Sequence, residues 1–347
     1  MRIVDLRSDT VTKPTLKMRQ AMKDAEVGDD GFSDDPTTNR LETMAADCAG
    51  KEAALFVPSG TMGNLIAIMV HTKPGEGLIC DRFAHINTMV AGNTAALTGT
   101  TISPLDVDES GNFDLVELES HINLDNIHFP RTSLIVLENS NNLAGGTVVT
   151  PEETSEIFRI VKKHHLRLHL DGARVFNSAI AQGVDLIELT RDCDSVMFCL
   201  SKGLASPVGS IIAGTEAFIK EARRIRKMLG GVMRQTGILA ACGIISLEEM
   251  VDRLAEDHDN ARYLANALEG IDGFSIKLKT VQTNIICFKF ELPQLSCKEF
   301  VDNVAKKGIY LVHLFKNIGR MVTHKDLSKS DIDYALKVFK DTVSKVE

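Results

Sequence analysis

Short apolar runs alternate along this chain with longer stretches in which apolar positions recur every three or four residues. A strand covered on both faces reads as a continuous apolar run, and a surface helix reads as a stripe with a period of 3.6. The alternation predicts an α/β fold, a mixed and mostly parallel sheet flanked by helices. Strands are expected at 77–80, 133–137, 166–170, 195–199 and 209–213. The clearest helix starts at Pro151, with Glu152 and Glu153 in its first turn, where a fixed proline φ and acidic side chains are both favourable. A long helix is expected from about 238 to 268, with Leu254, Ala261, Leu264 and Leu268 at helical spacing and Gly243 as its weak point. Gly270 ends it, and Asp272-Gly273 signals a turn. Beyond that turn, a strand at 284–290, a helix, a strand at 309–312 and a terminal helix predict a smaller α+β domain. The expected division is 1–250 for an N-terminal segment and large domain and 251–347 for the small domain, linked by the long helix.

Composition narrows the class without choosing a function. The 347 residues are 44% hydrophobic and 25% charged, as in ordinary folded proteins. A net charge of −8 gives no reason to expect a nucleic-acid partner, and the basic run from Lys220 to Lys227 reads mostly as a solvated helix face. No segment has the roughly 18 consecutive apolar residues of a membrane span. Early charges at Arg2, Asp5 and Arg7 do not suit a secretory signal. Seven cysteines with no CxxC pair read as reduced, packed thiols, so a cytoplasmic location is expected. The acidic residues form no group with metal-ligand spacing, and no metal is expected.

Candidate chemistry lies at the ends of two apolar runs. Asp171 ends one, in Leu170-Asp171-Gly172-Ala173-Arg174, and Lys202 ends the next, 31 residues later, in Leu200-Ser201-Lys202-Gly203. Two strand ends of this kind, facing one ligand, suit pyridoxal 5'-phosphate. The lysine amine forms a Schiff base with the aldehyde, and the carboxylate keeps the pyridine nitrogen protonated so that the ring takes up electrons. A second signal is Ser59-Gly60-Thr61, which joins an apolar run to an apolar helix. Free N–H groups and the helix dipole at such a start bind phosphate. Alone it reads as an ordinary capped helix; beside Asp171 and Lys202, phosphate binding is the better reading.

With these residues in view, the chain resembles the threonine aldolases of the β-eliminating lyase group, within the aspartate-aminotransferase-like fold type I of pyridoxal-phosphate enzymes. The resemblance runs nearly end to end. It includes Asp5-Leu6-Arg7-Ser8-Asp9, Gly28-Asp29-Asp30, Gly50-Lys51-Glu52-Ala53-Ala54, Ala84-His85, Ile127-His128-Phe129, Met233-Arg234-Gln235-Thr236-Gly237 and Val322-Thr323-His324, in addition to the Asp171 and Lys202 blocks. It implies Lys202 as the cofactor's lysine, Asp171 at the ring nitrogen, Gly60 and Thr61 at the phosphate with Arg234 in support, and His85 stacked on the ring. It implies Ser8, Arg174 and Arg320 at the substrate carboxylate, where planar guanidinium groups offer paired hydrogen bonds. His85 and His128 are both implied near the β-hydroxyl, and the choice of base between them stays open. Lys227 and the loop around Phe32 are expected to serve a neighbouring chain.

The activity so implied is retro-aldol cleavage of L-threonine or L-allo-threonine to glycine and acetaldehyde, by a homo-oligomer, a tetramer of two site-sharing dimers. Two alternatives stand beside it: a racemase, aminotransferase or β-eliminating lyase on the same cofactor, and a non-catalytic family member. Two positions depart from the family pattern. Asn141 stands where histidine is usual, and Phe32 where tyrosine is usual. An asparagine hydrogen-bonds but is no acid or base near neutral pH.

Overall fold

The five apolar runs expected as strands before residue 250 are strands in the computed structural model, which describes residues 2–123 and 125–344. In chain order the strands are β1 (Val4–Asp5), β2 (Ala53–Val57), β3 (Gly77–Asp81), β4 (Thr101–Leu105), β5 (Thr132–Glu138), β6 (Arg167–Asp171) and β7 (Ser195–Cys199). There follow β8 (Ser210–Gly214), β9 (Phe274–Ser275), β10 (Ile285–Phe290), β11 (Ile309–Tyr310), β12 (Val312–Phe315) and β13 (Ile318–Val322). The large sheet runs β2-β8-β7-β6-β5-β3-β4; β3 to β7 pair in parallel, and β8 lies antiparallel to both β7 and β2. Alternate residues of β2 enter different cores, Ala54 and Phe56 on one face and Leu55 and Val57 on the other. Helices Leu16–Asp24, Pro36–Cys48 and Gly237–Glu249 help cover the first face, and Gly60–His71 with Glu216–Met228 covers the second.

Strand β4 was not expected from the pattern. Its residues Thr101-Ile102-Ser103-Pro104-Leu105 are only half apolar, which an edge strand bonded to β3 alone allows; Pro104 is tolerated there for the same reason. The helix at Pro151 runs to Lys163 and begins with a reciprocal cap between Thr150 and Glu153.

The long helix of 238–268 is corrected to two, Gly237–Glu249 and Leu254–Leu268. The break lies at 250–253, not at Gly243. A Cβ on Gly243 would meet Leu41 and Leu200 side-chain atoms at 2.7 and 2.9 Å, so glycine there permits close packing inside an intact helix. The second helix starts with Glu256 and Asp257 in its first turn, and Arg253 at its cap reaches both carboxylates.

A second core holds the small antiparallel sheet, β12-β13-β10-β9, against Cys297–Ala305 and Lys329–Val343. Phe274 packs edge-on to Phe290 and Phe300 with ring centroids 5.1 and 5.2 Å apart, a favoured aromatic geometry. The strand expected at 309–312 divides at buried Leu311, because the chain changes partner there: β11 pairs with β1, and β12 with β13. Pairing with β11 also draws Val4 and Leu6 into this second core, away from the large domain to which 1–250 was assigned. The first core extends to Leu254 and the second resumes at Ala261, so the helix Leu254–Leu268 is the link.

Gly209 leads into β8 with φ +104°, and a Cβ there would sit 2.4 Å from two ring atoms of Phe56. Gly209→Ala is expected to cost at least about 2 kcal/mol, from the disfavoured backbone plus overpacking. Urea unfolding of the variant against the unmutated protein checks this.

Candidate functional site

Strands β5, β6 and β7 all point their C-terminal ends at one cavity of about 320 Å³, the usual place for a ligand in an open α/β sheet. Ser8, Gly60, Thr61, His85, Asp171, Arg174, Lys202 and Arg320 all line it. Residues far apart in sequence are thus brought together in one chain.

The helix Gly60–His71 aims its N-terminus into this cavity. Ser59 caps it by accepting from the Met62 N–H, while the first-turn N–H groups of Gly60 and Thr61 have no acceptor within the helix. Only glycine fits at position 60, because a Cβ would lie 2.8 Å from Cys199 Sγ. Such a cradle fits a phosphate.

Asp171 ends β6 and is buried. Its Oδ2 accepts from Asn64 Nδ2 at 2.7 Å, and its Oδ1 from the Ala173 N–H at 3.2 Å. Glu138, paired with it in register on β5, accepts from the main-chain N–H of His85 at 2.9 Å and of Asn142 at 2.8 Å. Burial, reinforced by Asp171 and Asp81, pushes the Glu138 carboxyl up to about 7. Burial also lowers His85, Lys202 and Arg174 act the same way, and Asp171 opposes them, so its imidazole is held toward the neutral form.

Opposite lie the guanidinium groups. Arg174 donates twice to Asp9, both at 2.7 Å, and Asp9 is fully buried. Burial would raise the Asp9 carboxyl, but Arg174 outweighs it, with Lys202 and Asn284 adding, and holds it well below the usual carboxylate range. Arg320 Nη1 donates to Asn142 Oδ1 at 2.7 Å, which Arg174 also approaches at 3.4 Å. Arg320 Nε is buried and has no partner among the described residues, so an acceptor is wanted there.

Three expected residues lie elsewhere. His128 sits in an exposed turn, its N–H donating to Asn126 Oδ1; Lys227 is exposed near the end of Glu216–Met228; and Arg234 is largely exposed and pairs with Asp29 at 3.2 Å. Within one chain none of them reaches the cavity. Asn141 does not line it either: its Nδ2 donates to Asp81 at 3.0 Å and its Oδ1 accepts from the N–H groups of Leu143 and Ala144. Phe32 is 79% exposed. Sequence reasoning missed Asp9, Asn64, Glu138 and Asn142. A usable signal was present: each is a polar residue beside an assigned motif or at the end of an apolar run.

The sheet, its crossing helices and a lysine and carboxylate at adjoining strand ends define an enzyme of the pyridoxal-phosphate fold type I. The threonine aldolase of Leishmania major has this fold, with a TM-score of 0.84 and 20% identity over 98% of this chain and 99% of that one. The family model for β-eliminating lyases matches residues 5–291. Low-specificity L-threonine aldolase 1 of Arabidopsis thaliana is 42% identical over 347 residues, covering 99% of this chain and 97% of its own. The low specificity L-threonine aldolase of Escherichia coli (strain K12) is 42% identical over 335 residues, 95% of this chain and 96% of that one. The chain belongs to the β-eliminating lyase family.

The raised Glu138 carboxyl sets a sign for stability against pH. A group that binds its proton more tightly when folded stabilises fully below its unfolded value, and that stabilisation is lost as pH rises through the folded value. Between about 4.5 and about 7 the apoprotein should therefore lose up to about 3 kcal/mol that Glu138→Gln does not lose. Urea unfolding of both proteins at pH 5 and 7.5 measures the difference in slope.

Proposed function

We propose that the protein is a pyridoxal-phosphate-dependent aldolase that cleaves the Cα–Cβ bond of β-hydroxy-α-amino acids, L-threonine and L-allo-threonine among them, to glycine and an aldehyde. The observation that carries this is one cavity holding Lys202, Asp171, His85 and the Arg174–Arg320 pair, in a chain 42% identical to aldolases of that name. Lys202 would hold the cofactor's aldehyde carbon, Asp171 its ring nitrogen, Gly60 and Thr61 its phosphate, and His85 the face of its ring. When bound, the cofactor supplies an electron sink for the charge left on Cα.

The other steps belong to the chain. Arg320, with its unpartnered Nε, and Arg174 bind the substrate carboxylate, and Ser8 lies beside them on the cavity wall. Asp9 already neutralises Arg174, so the two guanidinium groups present about one net positive charge, matched to one carboxylate. His85, kept toward neutral imidazole by burial, accepts the β-hydroxyl proton as the C–C bond breaks. A lone imidazole in this role contributes about 10²–10⁴-fold.

The working unit in this reading is a homo-oligomer, a tetramer of site-sharing dimers. His128, Lys227, Arg234 and the Phe32 loop then complete a neighbour's site, which accounts for four family-matched positions on the surface of a single chain. His128 becomes the second proton carrier. A cytoplasmic location suits the seven free cysteines. Among the described residues no helix is long and apolar enough to cross a membrane.

An aldehyde-release assay across the four threonine stereoisomers tests the reaction. Glycine and acetaldehyde should form from the two L isomers; a keto acid or a D-amino acid as product sinks the aldolase in favour of an aminotransferase or racemase. Lys202→Ala should lower turnover at least about 10³-fold, as loss of a covalent catalyst does. Arg320→Lys should act mainly on KM.

A further inference from the structure

Asp171 is one end of a buried line of hydrogen bonds that passes beneath the helix Gly60–His71. Asn64 Nδ2 donates to Asp171 Oδ2 at 2.7 Å, and Asn64 Oδ1 faces His169 Nε2 at 3.0 Å. His169 Nδ1 is 2.8 Å from Ser195 Oγ, which is 2.7 Å from His71 Nε2. Backbone geometry produces the alignment. His169 and Asp171 are two apart on β6 and share a face, and Ser195 pairs with His169 in register at the start of β7. Asn64 and His71 are seven apart, two turns of one helix, so both face the sheet at the same side.

Donor direction follows from one end to the other. A carboxylate only accepts, so Asn64 turns its amide NH₂ to Asp171 and its oxygen to His169. His169 must then carry its proton on Nε2, leaving Nδ1 to accept from the Ser195 hydroxyl. Ser195 Oγ in turn accepts from His71 Nε2–H. Burial pushes His169 down to about 3 and His71 to about 4, so both imidazoles behind Asn64 are neutral near pH 7. An asparagine next to the carboxylate passes polarisation along but gives up no proton. Asp171 therefore has a single acid to pair with, whatever sits across the cavity from it.

We propose that Asn64, His169, Ser195 and His71 are positioning residues, a one-way chain of neutral donors that aims Asp171 and favours its ionised form opposite the cofactor's ring nitrogen. This rests on the reading that the cofactor is pyridoxal phosphate. The chain acts through that nitrogen alone, and the test uses this. Dissociation constants for the apoprotein are measured with pyridoxal phosphate and with its 1-deaza analogue, in which carbon replaces the ring nitrogen. Asn64→Leu should weaken pyridoxal phosphate about 10- to 100-fold and Ser195→Ala about threefold or more, from the lost bonds to and behind a charged group. Each variant should bind the analogue within about twofold of the unmutated protein, because the analogue has no use for an ionised Asp171. Unchanged affinity for pyridoxal phosphate, or equal losses for both ligands, overturns the relay and leaves a packing role. An unmutated protein that binds neither ligand overturns the cofactor reading instead. Ser195→Ala removes a single hydroxyl, so its selectivity decides the matter even where Asn64→Leu does not fold.

Discussion

The buried ion pair between Asp9 and Arg174 is the joint on which the site depends. Asp9 comes from the N-terminal segment and Arg174 from the turn after β6, and Asn284, at the edge of the small domain, donates to the same carboxylate at 3.2 Å. Three parts of the chain therefore meet on one carboxyl group. A buried charge without a partner costs several kcal/mol, so none of the three can move off without leaving an uncompensated group behind. That requirement holds Arg174 in the cavity lining, where Asn142 joins it to Arg320.

Charge is then sorted along the strand ends. Glu138 and Asp171 stand side by side in register, and two adjacent buried carboxylates do not both ionise readily. Their hydrogen-bond partners differ. Asp171 receives a side-chain amide, backed by the His169–Ser195–His71 line, and one main-chain N–H, whereas Glu138 receives two main-chain N–H groups, and burial still leaves it with a raised affinity for its proton. Those two N–H groups belong to His85 and Asn142, so one carboxyl holds both the turn bearing His85 and the loop that braces the guanidinium pair. The electrostatic roles of neighbouring residues thus follow from which backbone or side-chain groups each can reach.

Much of this was legible in the residues, and what was not has identifiable causes. Buried strands read clearly because both faces are covered; β4 did not, since an edge strand with Pro104 lacks the apolar run. Lys202, Asp171 and Gly60 were readable because local motifs carry them. His169 was not, because its partnership with Asn64 arises from a helix laid across two strands, and it does not look unusual within its own segment. The fusion of β1 with the second core was hidden for the same reason: pairing Val4 with Ile309 is a contact across nearly the whole chain. The break at 250–253 was masked because apolar spacing continues in phase on both sides of it.

Asn141 shows how a departure in sequence changes meaning once its place is known. As a substitute for histidine it reads as a lost acid or base. In the fold its side chain is fully engaged outside the cavity lining, with Asp81 on one side and two main-chain N–H groups on the other. A neutral imidazole offers one donor and one acceptor, while the amide offers a donor to Asp81 and an oxygen that takes both Leu143 and Ala144. The exchange thus exploits bonding capacity rather than proton transfer, and it acts on the turn that positions Asn142. In the proposed function its effect on substrate choice would travel through the geometry of Arg320 and Arg174, which leaves His85 as the imidazole that this chain itself brings to the cavity.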